Sequence, residues 1–371
     1  MTSLRVELAR LAATMRSEIP GLPEAEITAA PQSIDELATI LEKATSLGLK
    51  VLIWGGGSHQ GYGGRVEPDL LLVTTRLNRT IAWEPEDLTV VVEGGVTVDT
   101  LEEMLQSKHQ TAVLPEGPGP ATVGGTIATG ISGYRRSRYG PTRDRLLEVT
   151  FVTGDGRVVR GGARVVKNVT GYDLPRLAVG SLGALGVIGS VCLKLWPAPP
   201  ATATVTVTDR GRAIDLVHRP LAVLSDRQET RVYLGGTEAE VAAQITRLAG
   251  ESEEGHRWPE EPPGAIRWSL RLPPAHLEAG LARLPREWGY VAQHGVGIIE
   301  IGAATADESA ELRSWAESIG GALVLVSAPP ALYDDFDPWG LPPVTVELQR
   351  KLIAAFDPAR ILNPGRLPGG L

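Results

Sequence analysis

Lys50-Val51-Leu52-Ile53-Trp54-Gly55-Gly56-Gly57-Ser58-His59-Gln60-Gly61 is an apolar strand that runs straight into three glycines. Glycines at that point remove side chains where the chain must turn. They also leave successive backbone N–H groups around one concavity, which suits an anion. The Ser58 hydroxyl adds a further donor, so the expected guest is a phosphate or pyrophosphate. A second glycine-rich stretch lies downstream between Pro115 and Gly133 and contains Thr122-Val123-Gly124-Gly125. Thr122 is placed to cap a short helix ending near Thr129. Amides from both loops together predict a dinucleotide.

The commonest nucleotide folds do not fit. Gly183-Ala184-Leu185-Gly186-Val187-Ile188-Gly189 has the wrong spacing for a nicotinamide-type fingerprint and precedes a strand rather than a helix. No Gly-Lys-Ser/Thr occurs, so there is no Walker A loop. Around the first loop the pattern is β-α-β. A strand near 26–30 leads to a helix capped by Ser33, with Glu36 at the capping-box position, apolar residues at helical spacing and Gly48 as its stop. Strands follow at 50–54, 70–74 and 88–93, a helix at 97–108, a hairpin about Gly154-Asp155-Gly156, and a long apolar strand from Leu185 to Trp196. Residues 2–17 read as an amphipathic helix.

Composition narrows the class. The net charge of −8 argues against nucleic acid as a partner. No apolar run is long enough to span a bilayer, and Glu7, Glu18, Glu24 and Glu26 argue against a signal peptide. The single cysteine, Cys192, sits in the apolar strand; it allows no internal disulfide and cannot hold an iron–sulfur cluster. No histidine pair has zinc-protease spacing, so no metal site is expected. A cytoplasmic protein is the expectation, with any membrane contact indirect.

The order of landmarks carries more than any one of them. Pro31-x-Ser33 opens a helix, Gly55-Gly56-Gly57-Ser58 follows, and then come Glu93-Gly94-Gly95-Val96, Thr122-Val123-Gly124-Gly125, Tyr139-Gly140, Gly171-Tyr172-Asp173-Leu174 and Gly180-Ser181-Leu182-Gly183 leading into Gly186-Val187-Ile188. Over about residues 25–197 this resembles the PCMH-type FAD-binding domain of the vanillyl-alcohol oxidase superfamily. The resemblance implies non-covalent FAD. Gly55, Gly56, Gly57 and Ser58 would form the first phosphate loop, and Thr122, Val123, Gly124 and Gly125 the second, beside pyrophosphate and flavin. Tyr139 and Gly140 would lie near the ring, and Val187 and Ile188 near the adenine end. His59 follows Ser58 rather than the glycine pair, unlike the histidine of members with histidyl flavin.

The whole chain is similar to the FAD-binding subunit family of bacterial glycolate oxidases, through Leu114-Pro115-Glu116, Lys167 to Leu174, Phe356-Asp357-Pro358 and Leu362-Asn363-Pro364-Gly365. That implies an oxidoreductase subunit working with a sister flavin subunit and an iron–sulfur subunit on glycolate or another small 2-hydroxy acid. The expected fold class is α+β: a PCMH-type domain of two α/β subdomains over 1–199, a smaller ferredoxin-like cap over 200–330, and a tail over 331–371 that returns to the flavin domain. The acidic, proline-rich stretch 251–264 is expected to be mobile.

Catalytic residues stay unassigned. His294-Gly295-Val296-Gly297-Ile298-Ile299-Glu300 is the nearest match to the His-x-Gly-Asp-Gly-Asn-x-His stretch of larger hydroxy-acid enzymes, and it lacks the aspartate, the asparagine and the second histidine. Arg135, Arg136, Arg138, Arg143 and Arg145 form a basic stretch suited to a carboxylate or an acidic partner, or simply to solvent. Asn363 and Arg366 are candidates to reach the flavin ring. A self-sufficient hydroxy-acid dehydrogenase and a flavin-holding subunit without turnover both remain open.

Overall fold

A computed structural model describes residues 22, 23, 25–116, 120–164 and 171–371. The helix expected at 2–17 lies outside them. The chain forms two units. The first takes the described residues up to Ile131, then Pro141–Pro197 and Pro342–Leu371, and the second takes Ser132–Gly140 and Ala198–Leu341.

In the first unit, β1 (Ile27–Ala29), β2 (Val51–Trp54) and β3 (Leu70–Val73) make a parallel sheet in the order β1-β3-β2. Helix α1 (Ile34–Leu47) covers it with Leu37, Leu41 and Ala44, which pack with Val51, Leu70 and Leu72. Ser33 caps this helix by accepting the Glu36 N–H at 3.1 Å, and Gly48 ends it at φ 66°. The Glu36 carboxylate reaches back to the Gln32 amide at 2.8 Å, one residue before the capping-box position.

A second, antiparallel sheet runs β4 (Thr80–Glu84), β5 (Thr89–Glu93), β9 (Val187–Lys194), β7 (Leu146–Val152) and β8 (Val158–Gly162), in that spatial order. A separate pair joins β6 (Gln110–Thr111) to β10 (Trp196–Pro197). Helices α2 (Val98–Gln106) and α3 (Val123–Thr129) share an apolar core with the five-stranded sheet, built around Val90, Leu101, Leu105, Ile127, Val149 and Val191. Strand β9 is the spine of this core: Val187 to Leu193 are all buried. Strand β4 has no counterpart among the sequence expectations. It is an edge strand with no buried residue, so it carries no apolar alternation to read.

The second unit is one eight-stranded sheet built from two β-α-β-β-α-β repeats. The first repeat is β11 (Ala201–Val207), α4 (Arg210–Leu216), β12 (Ala222–Ser225), β13 (Thr230–Gly236), α5 (Glu238–Leu248) and β14 (Glu251–Glu254). The second is β15 (Ile266–Arg271), α6 (Leu277–Leu281), β16 (Gly289–Gln293), β17 (Ile298–Ala303), α7 (Ser309–Ser318) and β18 (Ala322–Ser327). The sheet order β14-β11-β13-β12-β16-β17-β15-β18 places the two repeats edge to edge. Each repeat has the ferredoxin-like connectivity by itself, where the sequence suggested a single ferredoxin-like cap over 200–330. The seam is short: Leu224 pairs with Gln293 and Ser225 with Ala292.

Two expectations need correction here. Part of the stretch expected to be mobile forms β14, which pairs in register with β11 from Thr206↔Glu251 to Ala203↔Glu254, and Trp258 stacks on Tyr233 with ring centroids 4.2 Å apart. An edge strand can carry glutamates on an exposed face, so acidity did not exclude a strand there. Residues 132–140 also group with the second unit. Tyr134 packs with Leu224, Tyr233 and Val291 and donates to Glu300 at 2.9 Å, while Ser137 donates to the Leu221 carbonyl at 3.0 Å.

After the second unit the chain re-enters the first through α8 (Val346–Phe356). Ile361 to Asn363 then lie along the free edge of β2. The Val51 amide donates to Ile361 O at 2.8 Å, and the Asn363 amide donates to Val51 O at 2.9 Å.

Candidate cofactor site

A cleft opens in the first unit between the 55–60 turn, the start of α3, the 182–188 segment and the tail at Asn363 and Arg366. The first loop brings Gly55, Gly56, Gly57 and Ser58 to it together. Their four main-chain N–H groups donate to no acceptor among the described residues. Gly56 is buried while Gly55, Gly57 and Ser58 reach solvent, so four donors are open to an incoming anion, and a diphosphate supplies acceptors for them. This donor set is the observation by which the residues fit FAD.

The glycines also serve a second need. A Cβ on Gly56 would overlap the Pro120 carbonyl oxygen, and one on Gly55 would overlap the Thr122 hydroxyl. Gly57 has φ +83° and lies over the Trp54 ring. The two loops therefore meet too closely at Gly56 and Pro120 for any side chain, and Gly55 leaves room for the Thr122 hydroxyl.

The second loop differs from the expectation of a second amide cradle. Val123 N–H donates to Val96 O at 2.8 Å and Gly124 N–H to Gly94 O at 2.7 Å. Gly125 N–H donates to the Thr122 hydroxyl at 3.2 Å, which caps α3. These amides are already used within the protein. Thr122, Gly124 and Gly125 line the cleft as a close-fitting wall, and Val123 is fully buried in the core behind it. The Gly94 turn that receives α3 is held by Glu93, which is 1% exposed and accepts from the Arg79 amide at 2.8 Å and from its guanidinium at 2.7 Å.

Val187 and Ile188, at the start of β9, are among the residues that line the cleft. Tyr139 and Gly140 are not among its lining residues and group with the second unit. The basic stretch is split: Arg135, Arg136 and Arg138 belong to the second unit, while Arg143 and Arg145 belong to the first. Arg145 is 1% exposed, with its guanidinium 5.8 Å from the Trp196 ring centre. His59 lines the cleft with its Nδ1 3.0 Å from the Ser58 hydroxyl. In the second unit His294 is buried and its Nε2 lies 2.8 Å from the Ser225 hydroxyl, at the seam between the repeats. Among the described residues no cluster of three or more His, Cys, Asp or Glu is arranged to hold a metal ion.

Asn363 and Arg366 do reach the cleft. Asn363 bridges two of its walls: its Oδ1 accepts the Ile53 amide at 2.9 Å and its Nδ2 donates to Leu182 O at 2.6 Å. Arg366 donates to the carbonyls of Tyr62, His59 and Gln60 at 3.2, 3.3 and 2.8 Å, and to Gln60 Oε1 at 2.6 Å.

Comparison with known proteins agrees with this geometry. The family described as FAD binding domain matches residues 25–162. The solved structure of an alkyldihydroxyacetonephosphate synthase superposes with a TM-score of 0.68 at 15% identity, covering 92% of this chain and 77% of that one, so the fold is shared. The cleft and the family match, taken with the relatives that follow, define an FAD-dependent oxidoreductase. Over 344 residues the chain is 30% identical to glycolate oxidase subunit GlcE of Escherichia coli (strain K12), spanning 85% of this chain and 92% of that protein, and it belongs to that family. The D-lactate dehydrogenase of Anaerostipes hadrus is 31% identical over 194 residues, which cover 51% of this chain and 40% of that enzyme. Glycolate oxidase subunit GlcD of Bacillus subtilis (strain 168) is 32% identical over 190 residues, 50% of this chain and 39% of that protein.

Proposed function

We propose that this chain is the FAD-carrying subunit of a glycolate oxidase-type complex. In this reading it oxidises glycolate or a related 2-hydroxy acid and passes electrons to a sister flavin subunit and an iron–sulfur subunit in the cytoplasm. The observation that carries the cofactor assignment is the set of amides at Gly55, Gly56, Gly57 and Ser58 that are unengaged among the described residues. FAD bound there, without a covalent link, supplies a two-electron acceptor. The chain's own residues hold the diphosphate through the first loop, close the cleft with Thr122, Gly124 and Gly125, and set Val187 and Ile188 along its floor. The subunit reading is supported by similarity to GlcE across nearly the whole chain, whereas similarity to the D-lactate dehydrogenase covers only half of it.

Purification from the native host tests this reading. Expected are FAD absorbance on the chain, co-purification of a second flavoprotein and an iron–sulfur protein, and bleaching of the flavin by anaerobic glycolate or D-lactate in that complex. A protein that takes up no added FAD, or that is purified alone and still turns over, overturns the corresponding part.

A further inference from the structure

The last segment of the chain fastens three walls of the cleft to one another. Val51 and Leu362 form a parallel bridge that extends the sheet beyond β2. Where this bridge ends, the Asn363 side chain continues it by accepting the Ile53 amide, and the same side chain holds the Leu182 carbonyl. Asn363 has φ +43°, a left-handed conformation that asparagine tolerates better than most residues. Next, the buried Arg366 grips the turn that directly follows the phosphate loop through the carbonyls of His59, Gln60 and Tyr62. Gln60, held by Arg366, donates from Nε2 to Ile53 O at 3.0 Å and so closes the circuit back to β2. The Gly64 amide returns a hydrogen bond to Arg366 O at 3.1 Å.

We propose that residues 361–366 are a latch for the cofactor site. Asn363 and Arg366 act as positioning residues, and docking of this tail and binding of FAD are coupled. The argument is geometric. The amides of residues 55–58 can converge on one diphosphate only if the turn on either side is fixed, and β2 fixes one side while the tail fixes the other. A planar guanidinium is suited to several carbonyls at once, whereas an ammonium on a flexible stem is not. Coupling is reciprocal: if the docked tail favours FAD, bound FAD favours the docked tail by the same factor. The inference rests on the FAD reading of the cleft.

The test uses the full-length chain stripped of flavin. FAD affinity is measured by quenching of flavin fluorescence for the wild type, Arg366→Ala and Arg366→Lys. Amide hydrogen exchange of the C-terminal peptide beyond residue 358 is followed in the wild type with and without FAD. Expected are at least a tenfold loss of affinity for Arg366→Ala, partial recovery for Arg366→Lys, a less structured visible flavin band in both, and slower exchange of the tail when FAD is bound. If Arg366→Ala does not fold, the lysine variant and the wild-type exchange experiment still decide. A wild type that binds FAD while its tail exchanges unchanged, or two variants that bind FAD as well as the wild type, overturns the latch and leaves the FAD reading standing. A wild type that binds no FAD overturns both.

Discussion

Gly124 donates its main-chain N–H to the Gly94 carbonyl at 2.7 Å, seating the start of α3 directly on the turn after β5. A Cβ on Gly124 would sit 2.8 Å from that carbonyl and 3.1 Å from Gly94 Cα, both rigid backbone atoms. Gly124→Ala is therefore expected to destabilise the first unit by about 1–3 kcal/mol and to weaken FAD binding at least tenfold. Gly125→Ala meets only the Thr122 hydroxyl, at 3.1 Å, and is expected to cost far less. Thermal melting and FAD titration of the two variants side by side check the order; equal effects would refute it.

His294 gives the second unit an acid-sensitive seam. Burial, then the nearby Arg210, hold its pKa down from the usual 6.5 to about 4, while Glu278 lies 3.9 Å from Nδ1. The fold thus favours the neutral ring. Its contribution is fully present above pH 6.5 and is lost as pH falls towards 4, because the unfolded chain takes up the proton first. The expected slope is at most about 1.4 kcal/mol per pH unit. The stability difference between wild type and His294→Gln, from urea unfolding between pH 7.5 and 4.5, should shrink as the pH falls. A difference that is constant with pH counts against the assignment.

Cys192 lies fully buried in β9, and burial pushes its thiol up to about 11. At pH 8 roughly one molecule in a thousand would carry the thiolate even if reagent could reach it. Ellman's reagent is expected to be inert towards the native protein and to titrate one thiol after unfolding. Rapid reaction in the native state would show that β9 opens.

Thr237 and Glu240 form a reciprocal capping box at the start of α5, with hydrogen bonds of 3.3 and 2.8 Å. Thr237→Ala should cost about 1 kcal/mol. FAD uptake should be unchanged, since the cap lies in the second unit. A matching loss of FAD would place this helix in the cofactor's energetics.

The parts of the fold legible in sequence were those set by neighbouring residues. Ser33 and Gly48 bound α1 because caps act within one turn, and Thr122 marks α3 for the same reason. The glycine loop after β2 reads in sequence as an anion cradle because its donors lie on consecutive residues, and among the described residues its amides are unengaged. What the sequence could not show is where a distant partner takes a donor. Nothing near Val123, Gly124 or Gly125 reveals that Val96 and Gly94 accept from the first two, so the second loop read as a second cradle. The placing of Ser132–Gly140 with the second unit was hidden for a similar reason, since Tyr134 finds Glu300 and Ser137 finds Leu221 only in three dimensions. For Asn363 and Arg366, position in the tail signalled that they return to the site, but the Leu182 and Gln60 contacts became visible only with the fold.

The two repeats of the second unit touch along strands that pair at Leu224↔Gln293 and Ser225↔Ala292, with one more backbone bond from the His294 amide to Val223 O at 2.9 Å. Side chains carry much of the remaining join: Ser225 to His294, Arg227 to Trp288 O at 2.8 Å, Tyr290 to Asp226 O at 3.1 Å, and the Arg210–Glu278 ion pair. Such a join is a fold line in a sheet of otherwise longer ladders. Each half can keep its own twist, and a small change of angle between them would strain a few polar bridges while leaving every other rung of the backbone intact.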